Sequence, residues 1–117
     1  SDYTSLYISP VGNNKLSKGA CCIQVTINGL KNCEIYDSAW KEAQLDAWVK
    51  TYVCDETNER RIDNYGYIAE VAIPRSKLTI TSGQILVNFS VTKRNSVDAI
   101  CDVTSTSTAR WIPVTGL

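Results

Sequence analysis

Two large aromatic side chains, Trp48 and Tyr52, fall on the polar row of an alternating segment, residues 45–53. Residues four apart on a strand point to the same side of a sheet. An aromatic ring that stays partly wet can stack on the apolar C–H face of a sugar ring. The spacing therefore predicts either a flat surface platform or two rings covered by the segment 31–43, and the alternation does not decide between them.

Several polar side chains in the second half of the chain could hydrogen-bond to sugar hydroxyls: Glu70, Gln84, Asn88 and Arg94. Carboxylate, amide and guanidinium groups supply the directional bonds that orient a ligand in a mainly apolar site. Glu70 has a second interpretation, a strand-face ion pair with Arg75 or Arg94, because such pairs are common in stable folds.

The residue inventory argues against catalysis. The chain contains no histidine, which excludes Ser-His-Asp and Cys-His mechanisms and zinc hydrolysis through imidazole ligands. A hydrolase with two carboxylates is the alternative, since Asp46 and Glu70 are available, but no spacing marks a catalytic pair. We predict a non-catalytic domain that requires no cofactor.

The segment from Asp55 to Asp63 is rich in charge of both signs. Its simplest interpretation is a solvated hairpin tip. Its acidic side chains could also hold a structural calcium ion, although the spacing is not that of an EF-hand.

Composition limits the class of protein and its partners. The 117 residues carry twelve basic and twelve acidic side chains, so no net charge favours a nucleic acid or an anionic membrane, and no apolar run is long enough to span a bilayer. The length fits a single domain over residues 1–117. Because the chain contains no methionine, we expect it to be excised from a longer protein.

Five cysteines are many for this length: Cys21, Cys22, Cys33, Cys54 and Cys101. They fit small buried side chains or one or two disulfides in an extracytoplasmic protein.

Alternation with a period of two dominates the chain and predicts β-strands near residues 6–10, 23–27, 45–53, 67–73 and 84–92. Residues 103–109 fit a strand or a loop, and a short last strand is expected at Trp111. The best helix signal, residues 37–43, is short and equally fits a loop. Six or seven strands separated by turns predict an all-β fold, an antiparallel two-sheet β-sandwich of immunoglobulin or jelly-roll type with little helix.

The second half of the chain resembles the family 9 carbohydrate-binding modules. The similarity is carried by residues 66–74, GYIAEVAIP, by Leu78 and Gly83, and by the strand 85–91 leading to Arg94. Those modules have a similar aromatic-x-x-Glu-x-x-Ile-Pro strand, and a later tryptophan that corresponds to Trp111. The early segments 6–10 and 22–29 agree more loosely.

The resemblance implies a β-sandwich that binds an oligo- or polysaccharide without altering it. It implies Trp111 as the leading sugar platform, although a core position at the end of the sandwich explains this residue equally well. It further implies a secreted or cell-surface location and a tethered catalytic domain. The competing hypothesis is a protein–protein or assembly domain that pairs through a strand edge.

Overall fold

The computed structural model describes residues 2–54, 66–80 and 82–117. In these residues the fold is nearly all-β, with one short 3-10 turn at Arg75–Lys77. The strands are β1 (Tyr3–Pro10), β2 (Cys21–Thr26), β3 (Gly29–Tyr36), β4 (Trp40–Glu42), β5 (Trp48–Cys54), β6 (Gly66–Ala72), β7 (Gln84–Lys93), β8 (Ser96–Ala99) and β9 (Ile112–Thr115). None of the described residues forms a helix that could cross a membrane.

Seven strands form one antiparallel sheet in the order β4-β3-β2-β1-β7-β8, with β9 also paired to β7. Among the described residues, strands β5 and β6 pair only with each other and form a separate two-stranded hairpin. The all-β prediction and the antiparallel pairing are confirmed, and the arrangement is sandwich-like.

The β5–β6 hairpin packs on one side of the large sheet, which we call the hairpin side. Alternation gives this side a row of aliphatic and thiol side chains, and the fully buried Ile23 lies at its centre. Val49, Tyr67 and Val71 of the hairpin pack against that row. Burial of apolar area at roughly 25 cal/mol per Å² makes this layer the main hydrophobic core.

The opposite side of the sheet, the loop side, has a different character. Its buried residues are small and polar: Ser5, Ser9, Cys22, Asn88 and Ser90. Buried polar groups need partners, and the segment 100–111 supplies those of Asn88 through Cys101. The segment is tied back to the chain where Leu16 N–H donates to the Thr106 carbonyl at 2.7 Å.

Each predicted strand has a counterpart in the structure, and the alternation pattern failed to predict three further strands, β3, β4 and β8. Residues 31–43, expected as a loop, hold most of β3 and all of β4, and the helix signal at 37–43 corresponds to a bend followed by β4. Strand β8 also carried no clear signal. Residues 103–109 are a loop with a single bridge, between Lys15 and Ser107.

Candidate functional site

The outward face of the hairpin, which points away from the large sheet, carries the two aromatic residues of the alternating segment. Trp48 is 52% exposed and Tyr52 is 41% exposed. The interpretation that segment 31–43 covers them is wrong, because that segment is paired into the large sheet as β3 and β4. Two rings four residues apart on one strand stand about 13 Å from each other.

Two charged residues separate the aromatic rings. Lys50 and Glu70 are direct cross-strand partners in the β5–β6 register. The Lys50 ammonium also lies 5.1 Å from the centre of the Tyr52 ring, which is a cation–π distance. Among the described residues Glu70 forms no ion pair with Arg75 or Arg94, so its carboxylate stays exposed at the middle of the face.

The remaining side chains of this face are apolar. Ile68 pairs with Tyr52 and is 56% exposed, and Ala72 pairs with Trp48. The face therefore has an apolar end at Tyr52 and Ile68, a charged middle, and a second apolar end at Trp48 with a small neighbour. Such a surface can stack planar or apolar ligand faces at both ends and hydrogen-bond to hydroxyls between them.

The hairpin is held firmly on the sheet beneath it, and this fixes the outward face. The Thr51 hydroxyl donates to the Ile27 carbonyl at 2.7 Å. The Tyr67 hydroxyl bonds to Thr4 Oγ1 at 2.9 Å and donates to the Val25 carbonyl at 3.3 Å. These bonds, together with the core contacts of Val49 and Val71, orient the platform before any ligand arrives.

Three other sequence candidates are distributed along β7. Gln84 begins the strand, Asn88 lies at its middle, and Arg94 follows its end in the turn to β8. At about 3.3 Å per residue, Gln84 and Arg94 are some 30 Å apart. They therefore do not converge on one small ligand.

Asn88 has a clear structural role. Its side chain is completely buried. Its amide Nδ2 donates to the Cys101 carbonyl and its Oδ1 accepts from the Cys101 N–H, both at 3.0 Å. This pair of bonds fastens the segment 100–111 to the loop side of the sheet.

Trp111 lies in the interior, as its core interpretation predicted. It is 5% exposed, and its ring centre is 6.1 Å from that of Tyr7. The ring centre of Trp40 lies 5.8 Å from that of Tyr7 and 5.3 Å from that of Tyr36. The four rings form an aromatic cluster on the loop side, and Trp111 presents no open ring face to a ligand.

The described thiols and acidic groups indicate no metal centre. Cys21, Cys22 and Cys33 are buried free thiols and Cys101 is a half-buried one. Burial raises the pKa of both Cys21 and Cys22 to about 12, so they stay protonated at neutral pH. No group of three potential ligands occurs in ranges 2–54, 66–80 and 82–117, and the calcium candidate at 55–63 lies outside them.

Comparison of the chain with protein-family models, curated proteins and solved structures found no match.

Proposed function

We propose that this chain is a non-catalytic carbohydrate-binding domain whose ligand lies on the outward face of the β5–β6 hairpin. The observation that carries the proposal is the joint exposure of Trp48 and Tyr52 on one flat, firmly anchored surface. Tryptophan and tyrosine rings combine an apolar face with a polar group that tolerates water, which suits them to stack on a ligand while partly exposed.

The chemistry of the face suits an extended sugar chain. Each exposed ring can remove the C–H face of one sugar unit from water, and the separation of about 13 Å leaves room for units between them. Glu70 and Lys50 then meet the hydroxyls of the intervening units, one as acceptor and one as donor. This arrangement favours an oligo- or polysaccharide over a single sugar.

The proposal also includes a more specific fold class, the two-sheet β-sandwich. We infer that the seven-stranded sheet and the hairpin are the two layers of a β-sandwich, with a smaller second layer. The resemblance to family 9 modules supports this class, and it also supports an extracytoplasmic location and attachment to a catalytic domain. Neither a cofactor nor a nucleic acid is part of the proposed activity.

A glycan array followed by titration of the best ligand tests the proposal. Trp48→Ala and Tyr52→Ala should each weaken binding at least about tenfold, which corresponds to ~1.4 kcal/mol. Ile112→Ala is the matched control, because Ile112 is 40% exposed but belongs to β9 of the large sheet. The recovered glycan should be unaltered.

Three results would contradict this function. A folded wild-type domain that binds no glycan would favour the assembly hypothesis. Binding that survives both aromatic substitutions would remove the outward face as the site. Release of shortened fragments from the glycan would show a hydrolase and refute the non-catalytic assignment.

A further inference from the structure

A groove of about 620 Å³ runs beside the hairpin on the hairpin side of the large sheet. Strand β6 forms one wall, and β1, β2 and β7 form the floor. Its lining residues are uncharged and largely apolar: Thr4, Leu6, Val25, Gly66, Tyr67, Ala69, Val71, Phe89 and Val91. A shallower depression with Asp98, Ala99 and Ile100 continues it towards β8.

The groove exists because the hairpin covers only part of the sheet. Tyr67 of β6 reaches Thr4 and Val25, so β6 lies above β1 and β2. Strands β7 and β8 continue the sheet beyond that point. Phe89 is consequently 39% exposed and Val91 38% exposed, although both lie on the side of the sheet that forms the core elsewhere.

The wall of this groove is a strand edge. Among the described residues, β6 pairs with β5 along one side and with no strand along the other. Over seven residues, Gly66–Ala72, this edge offers backbone N–H and C=O groups spaced for another strand. A free edge beside an apolar floor is the arrangement that recruits an extended peptide.

We propose that this groove binds one extended β-strand from another polypeptide, which pairs with β6 and packs on Phe89 and Val91. The bound strand would continue the layer begun by the hairpin. Its inward row over β1, β2 and β7 must be apolar, because the described residues that line the groove of about 620 Å³ carry no charge. Its outward row should hold a basic residue beside the exposed Glu70, at the position across β6 that corresponds to Lys50 across β5 in the strand register.

A second copy of this chain does not fit the groove. If two β6 edges paired antiparallel about a twofold axis, both large sheets would lie on the same side and their β7 and β8 strands would collide. If they paired parallel, the outward face of each β6 would lie on the apolar floor of the partner. That arrangement would bury Glu70 against Phe89 and Val91, at the cost of desolvating a carboxylate.

The test uses a synthetic peptide of about nine residues with alternating valine and threonine and a central outward arginine. In heteronuclear NMR titrations of the whole chain, the amides of Gly66–Ala72 and the signals of Phe89 and Val91 should shift. The matched control is the same peptide with N-methyl groups on alternate backbone nitrogens that face β6. It keeps every side chain and loses the edge bonds, so its affinity should fall at least about tenfold.

Two valine-to-lysine substitutions distinguish binding in the groove from binding elsewhere on the sheet. Val91→Lys puts a charge on the floor and should abolish peptide binding. Val97→Lys is the control: Val97 is 51% exposed and pairs with Thr92, so it lies on the loop side. Circular dichroism of both variants verifies folding, and if Val91→Lys is unfolded, Val91→Thr replaces it with an expected weakening of about tenfold.

The proposal is overturned if the peptide fails to bind, if the N-methylated peptide binds equally well, or if Val97→Lys weakens binding as much as the groove variant. A concentration-dependent dimer that Val91→Lys dissolves would show that a second copy occupies the groove. Because the outward face lies on another side of the hairpin, loss of peptide binding leaves the proposal of glycan binding untouched.

Discussion

Two aromatic regions of this molecule have similar residues and opposite environments. The outward face of the hairpin leaves Trp48 52% exposed, whereas the aromatic cluster of Tyr7, Tyr36, Trp40 and Trp111 leaves Trp111 5% exposed. Tyr7 of the cluster and Trp48 of the hairpin each lie on the more polar row of their strand. The difference is that the segment 100–111 carries Trp111 onto the ring of Tyr7 in one region, whereas no described segment covers the other.

Trp48 and Trp111 show that the exposure of an aromatic ring depends on the layer packed over it and not on its residue type. On the loop side, Ser5, Ser9 and Asn88 are each less than 2% exposed, and Asn88 is bonded to Cys101 of the covering segment. On the hairpin, Lys50 and Glu70 between the rings keep that surface wet. The predictions that follow test this division between a structural and a functional aromatic region.

The largest expected effect is on Trp111. Trp111→Ala should lower the free energy of unfolding by about 3–5 kcal/mol, because it opens a cavity under the covering segment. Trp111→Phe should cost much less, since in the described part of the chain the indole N–H has no acceptor to lose. Urea denaturation of both variants measures this, and a cost below about 1 kcal/mol for the alanine variant would remove Trp111 from the core.

The next largest loss of stability is expected on substitution of Asn88. Asn88→Ala leaves the N–H and C=O of Cys101 without their buried partners, and the expected cost is about 1–3 kcal/mol. Gln84→Ala is the control on the same strand and side, because Gln84 is only half-buried, and its cost should stay within about 0.5 kcal/mol. Faster hydrogen exchange at Cys101 in the first variant would identify the released segment, and equal costs would contradict the anchoring role.

A smaller effect should appear at alkaline pH. Cys22 lies on the loop side, and burial raises its pKa from 9.0 to about 12. The contribution of this thiol to stability is complete below pH 9 and is lost as the pH rises towards 12, because only the unfolded chain ionises readily in that window. At pH 10 the loss is on the order of 1 kcal/mol.

The pH dependence of urea denaturation between pH 8 and 11 measures this loss, and Cys22→Ala should flatten the curve relative to wild type. Cys21→Ala makes the same test on the hairpin side of β2, where burial also raises the pKa of the Cys21 thiol to about 12. An unchanged curve for Cys22→Ala would mean that water reaches this thiol beneath the covering segment.

The smallest effect on stability is expected at Trp48. Trp48→Ala should change the free energy of unfolding by no more than about 0.5 kcal/mol, as for an ordinary surface substitution. The same variant is expected to lose most glycan affinity. A stability loss comparable with that of Trp111→Ala would show that the ring is structural and would end the contrast between the two regions.

Strand β3 illustrates why parts of the fold escaped sequence analysis. Its register with β2 shifts between Gln24 and Val25, which breaks the alternation of apolar residues. A signal was nevertheless present, because Asn28-Gly29 typically marks a hairpin, and Gly29 adopts a φ of 118° just after the turn. Strand β8 is short and exposed throughout, so no burial pattern could identify it.

The candidate site was likewise predictable from the sequence only in part. The common face of Trp48, Lys50 and Tyr52 followed directly from alternation, because side chains on a strand repeat every two residues. The exposure of that face could not be predicted from the alternation. Alternation assigns side chains to the two faces of a strand, but it does not say which face packs against another layer. Trp111 was a candidate through the family resemblance and Asn88 as a polar hydrogen-bonding group, and the structure buries both: Asn88 is bonded to Cys101, and Trp111 packs against Tyr7.

The amino-acid sequence by itself determined the all-β class, the main strands and the grouping of side chains into rows, because these depend on local backbone geometry and on residues within one strand. The pairing of β6 with β5 alone, the groove beside β6 and the covering of the loop side depend on contacts between residues far apart in the chain, such as Tyr67 with Thr4 and Asn88 with Cys101. Such contacts form only when the whole chain is packed, so the tertiary structure decided which of the described rows became core and which stayed exposed.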